Sequence, residues 1–334
     1  MLKKILLLAL CVGLLSARVV VDSYGKKVQV PETITRAMPM IPVLLQISLM
    51  LDNEDKIIFG SPRMPPTPLL NKVFPKIELN PNKSGVLSSS IESIIAANPQ
   101  VVFGPVGLIF DENAKKQLEA AGIVVVNIHK FSTADEIKQN VSIVGEIFGG
   151  KSVQKAREFN AYFDENVKFV RSRTTKIAHK KRVLSLSFHS GNFNTIRADD
   201  IGAEYIRIAG GINASSQEDF KVSTTINEEQ VLVFNPDIII TYTAQSAKAI
   251  RENLAFKTLK AIKNKQVFVV PSGVFLWGTR SAEGALQPLW LAKVLYPELF
   301  MDLNLEQKVR EFYEKFYHYK LSDDEIKSIL YPVR

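Results

Sequence analysis

The sequence contains the same short pattern twice, as "IESIIAANPQVVF" at residues 91–103 and as "EEQVLVFNPDIII" at residues 228–240. In each copy an acidic residue opens an amphipathic segment, Asn-Pro closes it, and an apolar run follows. The matched positions, always 137 residues apart, are Glu92 and Glu229, Asn98 and Asn235, and Pro99 and Pro236. Because the spacing is constant, we predict two lobes built on one plan.

Helix and strand patterns alternate in both halves, which predicts an α/β fold of two Rossmann-like lobes with mainly parallel sheets. The first lobe is expected at residues 18–150, with a hairpin over 18–31 and a strand over 56–59. The second lobe is expected at residues 178–334 and begins with the strand "KRVLSLSFHSG". Apolar residues at helical spacing between the lobes predict one long linking helix within residues 151–177.

The N-terminus, "MLKKILLLALCVGLLSAR", has two lysines, a short apolar run and small residues at its end. This pattern predicts a cleavable signal peptide over residues 1–17, because the apolar run is too short to span a bilayer. The single cysteine, Cys11, lies within it and follows Leu10. A lipoprotein signal has small residues before its cysteine, so soluble export is favoured over a lipid anchor. A mature chain without cysteine excludes disulfides and thiol chemistry.

The formal net charge of +8 does not indicate nucleic-acid binding, because lysines and arginines are scattered among acidic residues. Neither half has a Gly-x-Gly-x-x-Gly loop after its first strand. "GEIFGGKS" at residues 145–152 matches a phosphate-binding loop in letters. The segment before it has helical periodicity, whereas such a loop must leave a buried strand. We therefore interpret its glycines as a stop between two helices.

With these features the chain resembles the cluster-III periplasmic substrate-binding proteins of ABC importers, most closely the CeuE-type group of Helicobacter and Campylobacter. Further matching phrases are "AGGIN" at 209–213 and "LQPLWLAKVLYPE" at 286–298. The resemblance implies a monomeric periplasmic protein without a resident cofactor. Its cargo would be a small-molecule metal chelate of iron or nickel, such as a ferric siderophore, and its partner the permease dimer of the inner membrane.

Ligands of this fold bind beyond the carboxyl ends of parallel strands. On that rule we expect the first lobe to line the cleft with Pro39, Met40, Arg63, Pro105 and His129. The second lobe would contribute His189, Asn194, Arg197, Tyr242, Trp277 and Arg280. His129 follows a strand with three consecutive valines, and its imidazole could bind a metal that a small chelator leaves incompletely coordinated. His189 is the reserve candidate.

The resemblance also implies a docking role for the repeated acids, because each lobe of these proteins presents one carboxylate to one permease subunit. Glu92 and Glu229 are the matched pair, although acids at helix starts also interact favourably with the helix dipole. Three other functions stay open at this point. They are a protein for free metal ions, which the four scattered histidines disfavour, a haem or cobalamin carrier, and an exported enzyme, for which no acid-base set is visible.

Overall fold

The computed structural model describes residues 17–58, 67–77, 90–216 and 224–332. The predicted signal peptide, apart from Ala17, and the predicted ligand residue Arg63 lie outside these ranges. No helix of the described residues is both long enough and apolar enough to cross a bilayer.

The first lobe is built on a parallel sheet of three strands in the order β3-β4-β5, beside an antiparallel hairpin of β1 and β2. The hairpin confirms the prediction for residues 18–31. Its strands and those of the sheet are β1 (Ala17–Val21), β2 (Lys27–Pro31), β3 (Ala37–Pro39), β4 (Val101–Gly104) and β5 (Val124–Asn127). The helices of this lobe are α1 (Pro42–Met50), α2 (Pro68–Val73), α3 (Ile91–Ala97), α4 (Glu112–Ala120) and α5 (Ala134–Phe148).

The strand predicted over residues 56–59 is wrong within the described part of that segment. Glu54–Lys56 form one turn of 3₁₀-helix, and Ile57 makes only a single parallel bridge to Ala37. The cause is the polar turn before it. Asp52 adopts a left-handed backbone, with φ of 61°, and the Asn53 amide donates to the carbonyl of Leu51 at 2.7 Å. Because Lys56 belongs to this turn, it cannot also begin an extended strand.

The linking helix α6 (Lys151–Thr174) has 24 residues and is about 36 Å long. It starts two residues after the end of α5, where Gly149 and Gly150 have φ of 71° and 54°. A side chain at Gly145 would come within 2.9 Å of the Ala156 Cβ, so this glycine permits close packing of α5 and α6. The glycines of "GEIFGGKS" therefore serve a helix junction, and a helix precedes the motif, as we predicted.

The second lobe has a main sheet in the order β12-β11-β6-β9, in which all pairs are parallel, and a small antiparallel sheet in the order β10-β8-β7. Its strands are β6 (Arg182–Ser185), β7 (Ser187–His189), β8 (Asn192–Asn194), β9 (Ile212–Asn213), β10 (Thr225–Ile226), β11 (Ile238–Thr241) and β12 (Val267–Val269). Its helices are α7 (Ile201–Ile208), α8 (Glu228–Phe234), α9 (Ala244–Glu252), α10 (Lys260–Lys263), α11 (Gln287–Leu295), α12 (Leu305–Phe312) and α13 (Asp323–Leu330).

The repeated sequence pattern corresponds to a repeated structure. α3 leads into β4, and α8 leads into β11, so each copy is one helix followed by one central strand of a parallel sheet. Both helices end at the asparagine of Asn-Pro, and Asn98 and Asn235 have φ of 48° and 36°. Asparagine tolerates this left-handed conformation, and the proline after it prevents the helix from continuing.

The lobes are held together by a continuous apolar core and by a few polar contacts. One cluster of buried side chains extends from Val20 in β1 to Leu330 in α13. The Thr67 hydroxyl donates to the carbonyl of Val274 at 3.2 Å, and the Asn166 amide donates to the carbonyl of Ala285 at 2.9 Å. These contacts connect the first lobe and α6 to the segment that follows β12.

Candidate functional site

At the carboxyl edge of the first sheet, most of the predicted ligand residues are buried. Pro39, Met40 and Pro105 are buried among the strand ends, and the Met40 N–H donates to the carbonyl of Phe103 at 3.0 Å. A side chain at Gly104 would come within 2.8 Å of the Met40 Cβ. The expectation that Pro105 has surface available for a ligand is therefore not met in this conformation, because close packing of the strand ends encloses it.

His129 is exposed at the same edge, two residues after β5. Its ring stacks on Tyr24, with centroids 5.8 Å apart and planes at 30°. The hairpin turn that carries Tyr24 is fixed to β5, because the Ser23 N–H donates to the carbonyl of Asn127 at 3.0 Å. Within the described residues the imidazole nitrogens of His129 have no hydrogen-bond partner, so they are available to a ligand.

Sequence reasoning identified the turn at Tyr24 but not its contact with His129. The two residues are more than a hundred positions apart, and only the pairing of the hairpin with β5 brings them together. The sequence feature that could have indicated this contact is Tyr24 itself, a large aromatic residue in a polar turn that a small residue could also form. The stack holds the His129 ring in one orientation and adds an aromatic surface beside it.

In the second lobe His189 is exposed at the tip of the β7–β8 hairpin, opposite Asn192. The chain leaves the main sheet after β6 and enters the small sheet, so His189 lies beyond the edge where the sequence placed it. Asn194 pairs with Thr225, whose hydroxyl donates to the side-chain amide oxygen, Oδ1, of Asn194 at 2.9 Å. Arg197 donates two hydrogen bonds, of 2.8 and 2.7 Å, to Asp199, so its charge is already paired.

Of the remaining predicted residues, Trp277 and Arg280 lie in the segment after β12, and Tyr242 directly follows β11. Trp277 is fully buried, with 0% of its surface exposed, and its indole N–H donates to Glu283 at 2.9 Å. It has no surface to offer to a cargo in this conformation, because a buried carboxylate holds the indole inward. Trp277 can still report movement of this segment by its fluorescence.

Tyr242 contacts the segment after β12, and Arg280 belongs to that segment. The half-buried Tyr242 donates its hydroxyl proton to the carbonyl of Gly278 at 3.2 Å, and burial raises the pKa of Tyr242 to about 12, so it stays neutral. Arg280 is more than half exposed, and its nearest charged neighbour within the described residues is Asp200 at 3.9 Å. The Oδ1 atom of Asp200 accepts a 2.8 Å hydrogen bond from the N–H of Gly202, and its Oδ2 atom faces Arg280. Arg280 is therefore an exposed cation with one long ion pair.

A buried carboxylate fixes the conformation of this segment. Glu283 accepts hydrogen bonds from the Val274 N–H at 2.9 Å and from the Tyr313 hydroxyl at 2.9 Å, in addition to the Trp277 indole. A side chain at Gly273 would lie 1.9 Å from the Tyr313 hydroxyl, so only glycine fits there. The Phe275 N–H donates a fourth hydrogen bond to Glu283, at 3.5 Å, and burial raises the pKa of Glu283 to about 7 despite these four contacts. Nothing in the sequence pattern indicated this network.

The first lobe holds the same network through Gln46 in α1. The Gln46 amide donates to the Tyr317 hydroxyl at 2.8 Å, and its carbonyl oxygen accepts from the Ala282 N–H at 3.0 Å. Gln46 is completely buried inside a mostly apolar helix, which is costly unless its polar atoms are paired. The pairing explains why a glutamine occupies this position.

The two repeated acids are exposed on α3 and α8. Both helices run toward the amino ends of their following strands, so Glu92 and Glu229 lie toward the carboxyl edges of the two sheets. Hydrogen bonds from its own backbone N–H and from Ser90 hold the pKa of Glu92 below its ordinary value, so it is ionised. Glu229 borders an open groove of about 720 Å³ together with the tip of the β7–β8 hairpin.

The described residues contain no group of three or more His, Cys, Asp or Glu side chains that could hold a metal ion. The geometry therefore consists of an exposed imidazole with an aromatic neighbour on one lobe and an arginine with a neutral phenol on the other. These groups can donate hydrogen bonds to an anion and offer one nitrogen ligand to a metal.

The fold and this arrangement are those of a two-lobe solute-binding protein. The chain belongs to the periplasmic binding protein family, which it matches over residues 78–274, and proteins of this family deliver solutes to the permeases of ABC transporters. Family membership supports a location outside the cytoplasm, whereas the type of signal stays a prediction. The matched relatives are named as solute-binding proteins.

Three comparisons illustrate the range of relatives. The molybdate-binding protein MolA of Haemophilus influenzae is 26% identical, with 96% of each chain covered. A periplasmic solute binding protein from Veillonella parvula has a TM-score of 0.80 at 23% identity, covering 94% of this chain and 97% of that one. The structure of Helicobacter pylori CeuE with Ni(II) bound has a TM-score of 0.71 at 19% identity, covering 93% and 98%. Because these relatives differ, they support the family, and the CeuE-type subgroup stays a prediction.

Proposed function

We propose that this protein captures a small anionic species of a transition metal between its lobes and delivers it to the permease of an ABC importer. The observation that carries the proposal is Arg280, a guanidinium with 55% of its side chain exposed and one long ion pair, of 3.9 Å, to Asp200. An exposed and only loosely paired cation favours anions. The neutral hydroxyl of Tyr242, which lies near the same segment, adds a donor without adding charge.

A metal chelate is the first candidate for the cargo. The exposed imidazole of His129 supports it, because neutral imidazole is a good ligand for nickel and is also used for iron. The stack with Tyr24 would keep the ring oriented, as groups that support metal-binding histidines commonly do. A ferric or nickel complex with one open coordination position would take this nitrogen as its last ligand.

An oxyanion such as molybdate is the second candidate, and the similarity to MolA over nearly the whole chain favours it. A tetrahedral oxyanion already has four oxygens around its metal. His129 would then act only as a hydrogen-bond donor, and Arg280 would carry most of the recognition through charge-assisted hydrogen bonds. Binding of free metal ions is an outcome that the test below would also reveal, and haem or cobalamin would be identified by mass spectrometry of the natively purified protein.

Titration calorimetry on the mature protein tests the cargo class. The probes are molybdate, sulfate, Ni(II), a nickel–histidine complex and a ferric catecholate, with Trp277 fluorescence as a second readout. We expect a metal-bearing anion to bind at least tenfold more tightly than sulfate. Preference for free Ni(II) over every anion, or no binding of any metal-bearing probe, would contradict the proposal.

Two arginine variants make the test specific. Arg280→Gln should weaken binding of the preferred probe by about tenfold or more, which is typical for loss of a charge-assisted hydrogen bond. Arg197→Gln is the matched control, because Arg197 is already paired with Asp199. His129→Ala then distinguishes the candidates: it should weaken an incompletely coordinated chelate strongly and molybdate only slightly. Equal losses of affinity in both arginine variants would contradict the proposed role of Arg280 in binding the cargo.

We further propose that Glu92 and Glu229 dock the protein on the permease. The repeat supports this role, since a partner with two similar subunits requires the same surface twice. Reversal of both charges, as Glu92→Arg with Glu229→Arg, should abolish binding to the permease and leave cargo affinity unchanged. Normal permease binding by this double variant would refute the docking role.

A further inference from the structure

The outward faces of α3 and α8 carry a second matched feature besides the acids. One turn after each acid stands an exposed aliphatic side chain: Ile95, with 37% of its surface exposed, and Leu232, with 36%. Residues three and four positions apart share one face of a helix. Glu92, Ile95 and Ala96 therefore form one strip, and Glu229, Leu232 and Val233 form the equivalent strip 137 positions later.

Both strips are held in the same orientation by matched contacts at the helix ends. The side chains of Ser90 and Asn227 accept hydrogen bonds from the backbone N–H of Ser93 and Gln230, at 3.2 and 2.8 Å. On the inward faces, Ile94 and Val231 are buried with 1% and 0% exposure. These contacts therefore fix which face of each helix points outward.

Single exposed aliphatic residues are common on protein surfaces and need no special explanation. Ile95 and Leu232 differ from such isolated residues because they occupy equivalent positions of the repeat. Each also lies next to one of the two matched acids. An internal core requirement does not explain the match, since both side chains point away from the core. A partner that meets both lobes in the same way would explain it.

We propose that each acid and the aliphatic residues one turn later act as one docking strip, and that the two strips bind the two subunits of the ABC permease. This inference rests on the proposed docking role of Glu92 and Glu229. The permease surface that fits such a strip has a basic side chain next to an apolar one. The acid provides charge pairing, and the aliphatic residues exclude water around it, as the surroundings of a charged contact do in tight interfaces.

The two strips are not identical, which sharpens the inference. Val233, with 77% exposure, occupies the position where the first lobe has Ala96. The strip of the second lobe therefore has more apolar surface. Glu229 also borders the open groove formed with the β7–β8 hairpin, so a partner side chain could enter there. We expect the second strip to contribute more to docking than the first.

The test uses the full mature protein and the permease complex of its importer in lipid nanodiscs, with affinity measured by biolayer interferometry. Ile95→Gln and Leu232→Gln keep side-chain length and helix propensity while removing the apolar surface. The double variant should bind the permease at least tenfold more weakly, and Leu232→Gln alone should have the larger effect. Met301→Gln is the matched control, since Met301 is exposed at 83% but lies outside both strips.

Two readouts separate this inference from the proposed function. Cargo affinity and the thermal midpoint should be unchanged in all variants, so that weaker docking cannot result from misfolding. In one outcome, charge reversal at Glu92 and Glu229 abolishes permease binding while the double glutamine variant binds like Met301→Gln. That result would refute the contribution of the aliphatic residues and retain the docking role of the acids. If charge reversal leaves binding normal, the docking role itself fails.

Discussion

Among single residues, Glu283 has the most unusual chemical environment. This carboxylate is fully buried, yet it receives hydrogen bonds from two loop residues, an indole and a tyrosine hydroxyl. Buried charges are tolerated only when they are well paired. The pairing holds the segment between β12 and Arg280 in one conformation.

Glu283 should give the protein a measurable pH dependence of stability. Burial raises its pKa from 4.5 to about 7, so the folded protein binds a proton more tightly than the unfolded chain. Its contribution to stability is full below pH 4.5 and is lost as the pH rises to about 7. One pKa unit corresponds to about 1.4 kcal/mol, so the loss is on the order of 3 kcal/mol. Urea unfolding at pH 5 and pH 7.5 measures it.

Glu283→Gln should flatten this pH dependence, because the titrating group is gone. Glu325→Gln is the control: hydrogen bonds from Ser322, above all from its backbone N–H, lower the pKa of Glu325 to about 2. The stability that Glu325 contributes is present above pH 4.5 and is lost only as the pH falls toward 2. Its removal should leave the slope between pH 5 and pH 7.5 unaltered. The same slope in Glu283→Gln and in the original protein would show that Glu283 does not titrate there.

At the scale of elements, the repeated helix–strand unit shows how a short sequence pattern specifies a shape. A polar N-cap starts each helix, an asparagine in the left-handed conformation ends it, and proline directs the chain into the central strand. The N-cap side chain and the left-handed C-cap each satisfy backbone groups that a helix end leaves unpaired. The match between the two lobes therefore extends from sequence to backbone geometry.

The left-handed C-caps provide a prediction about the stability of this unit. Asn98→Ala should cost about 1 kcal/mol, because alanine tolerates positive φ poorly, whereas Asn98→Gly should be nearly neutral. Asn264→Ala is the control, since Asn264 ends α10 with φ of −92°. Urea denaturation of the three variants measures the difference. Equal costs for Asn98→Ala and Asn98→Gly would mean that backbone strain does not set the preference at this cap.

At the scale of the whole molecule, the sequence was sufficient for the architecture. Periodicity identified the long helix, the hairpin and the alternation of helices and strands, because these are local patterns. The repeat identified two lobes. In residues 56–58, the described part of the strand predicted over 56–59, the preceding polar turn dominates the local structure and no strand forms.

The candidate site could be predicted only in part, because it depends on side-chain direction and on distant contacts. The strand-end rule selected His129 and Arg280, which are exposed. It equally selected Pro105 and Trp277, which are buried, and it could not distinguish the two pairs. Gln46 and Tyr317 are 271 positions apart, and no sequence spacing indicates that they meet. The network around Glu283 and the stack of Tyr24 on His129 therefore required the structure.

We propose above that the protein carries an anionic transition-metal species. Native mass spectrometry with elemental analysis identifies this cargo directly. The protein should be purified without added metal from the compartment to which it is exported. We predict one metal atom for each chain, held in a complex or oxyanion with net negative charge, and loss of that species from Arg280→Gln. Purification with a metal-free organic solute, or with a bare divalent cation retained by Arg280→Gln, would contradict the account.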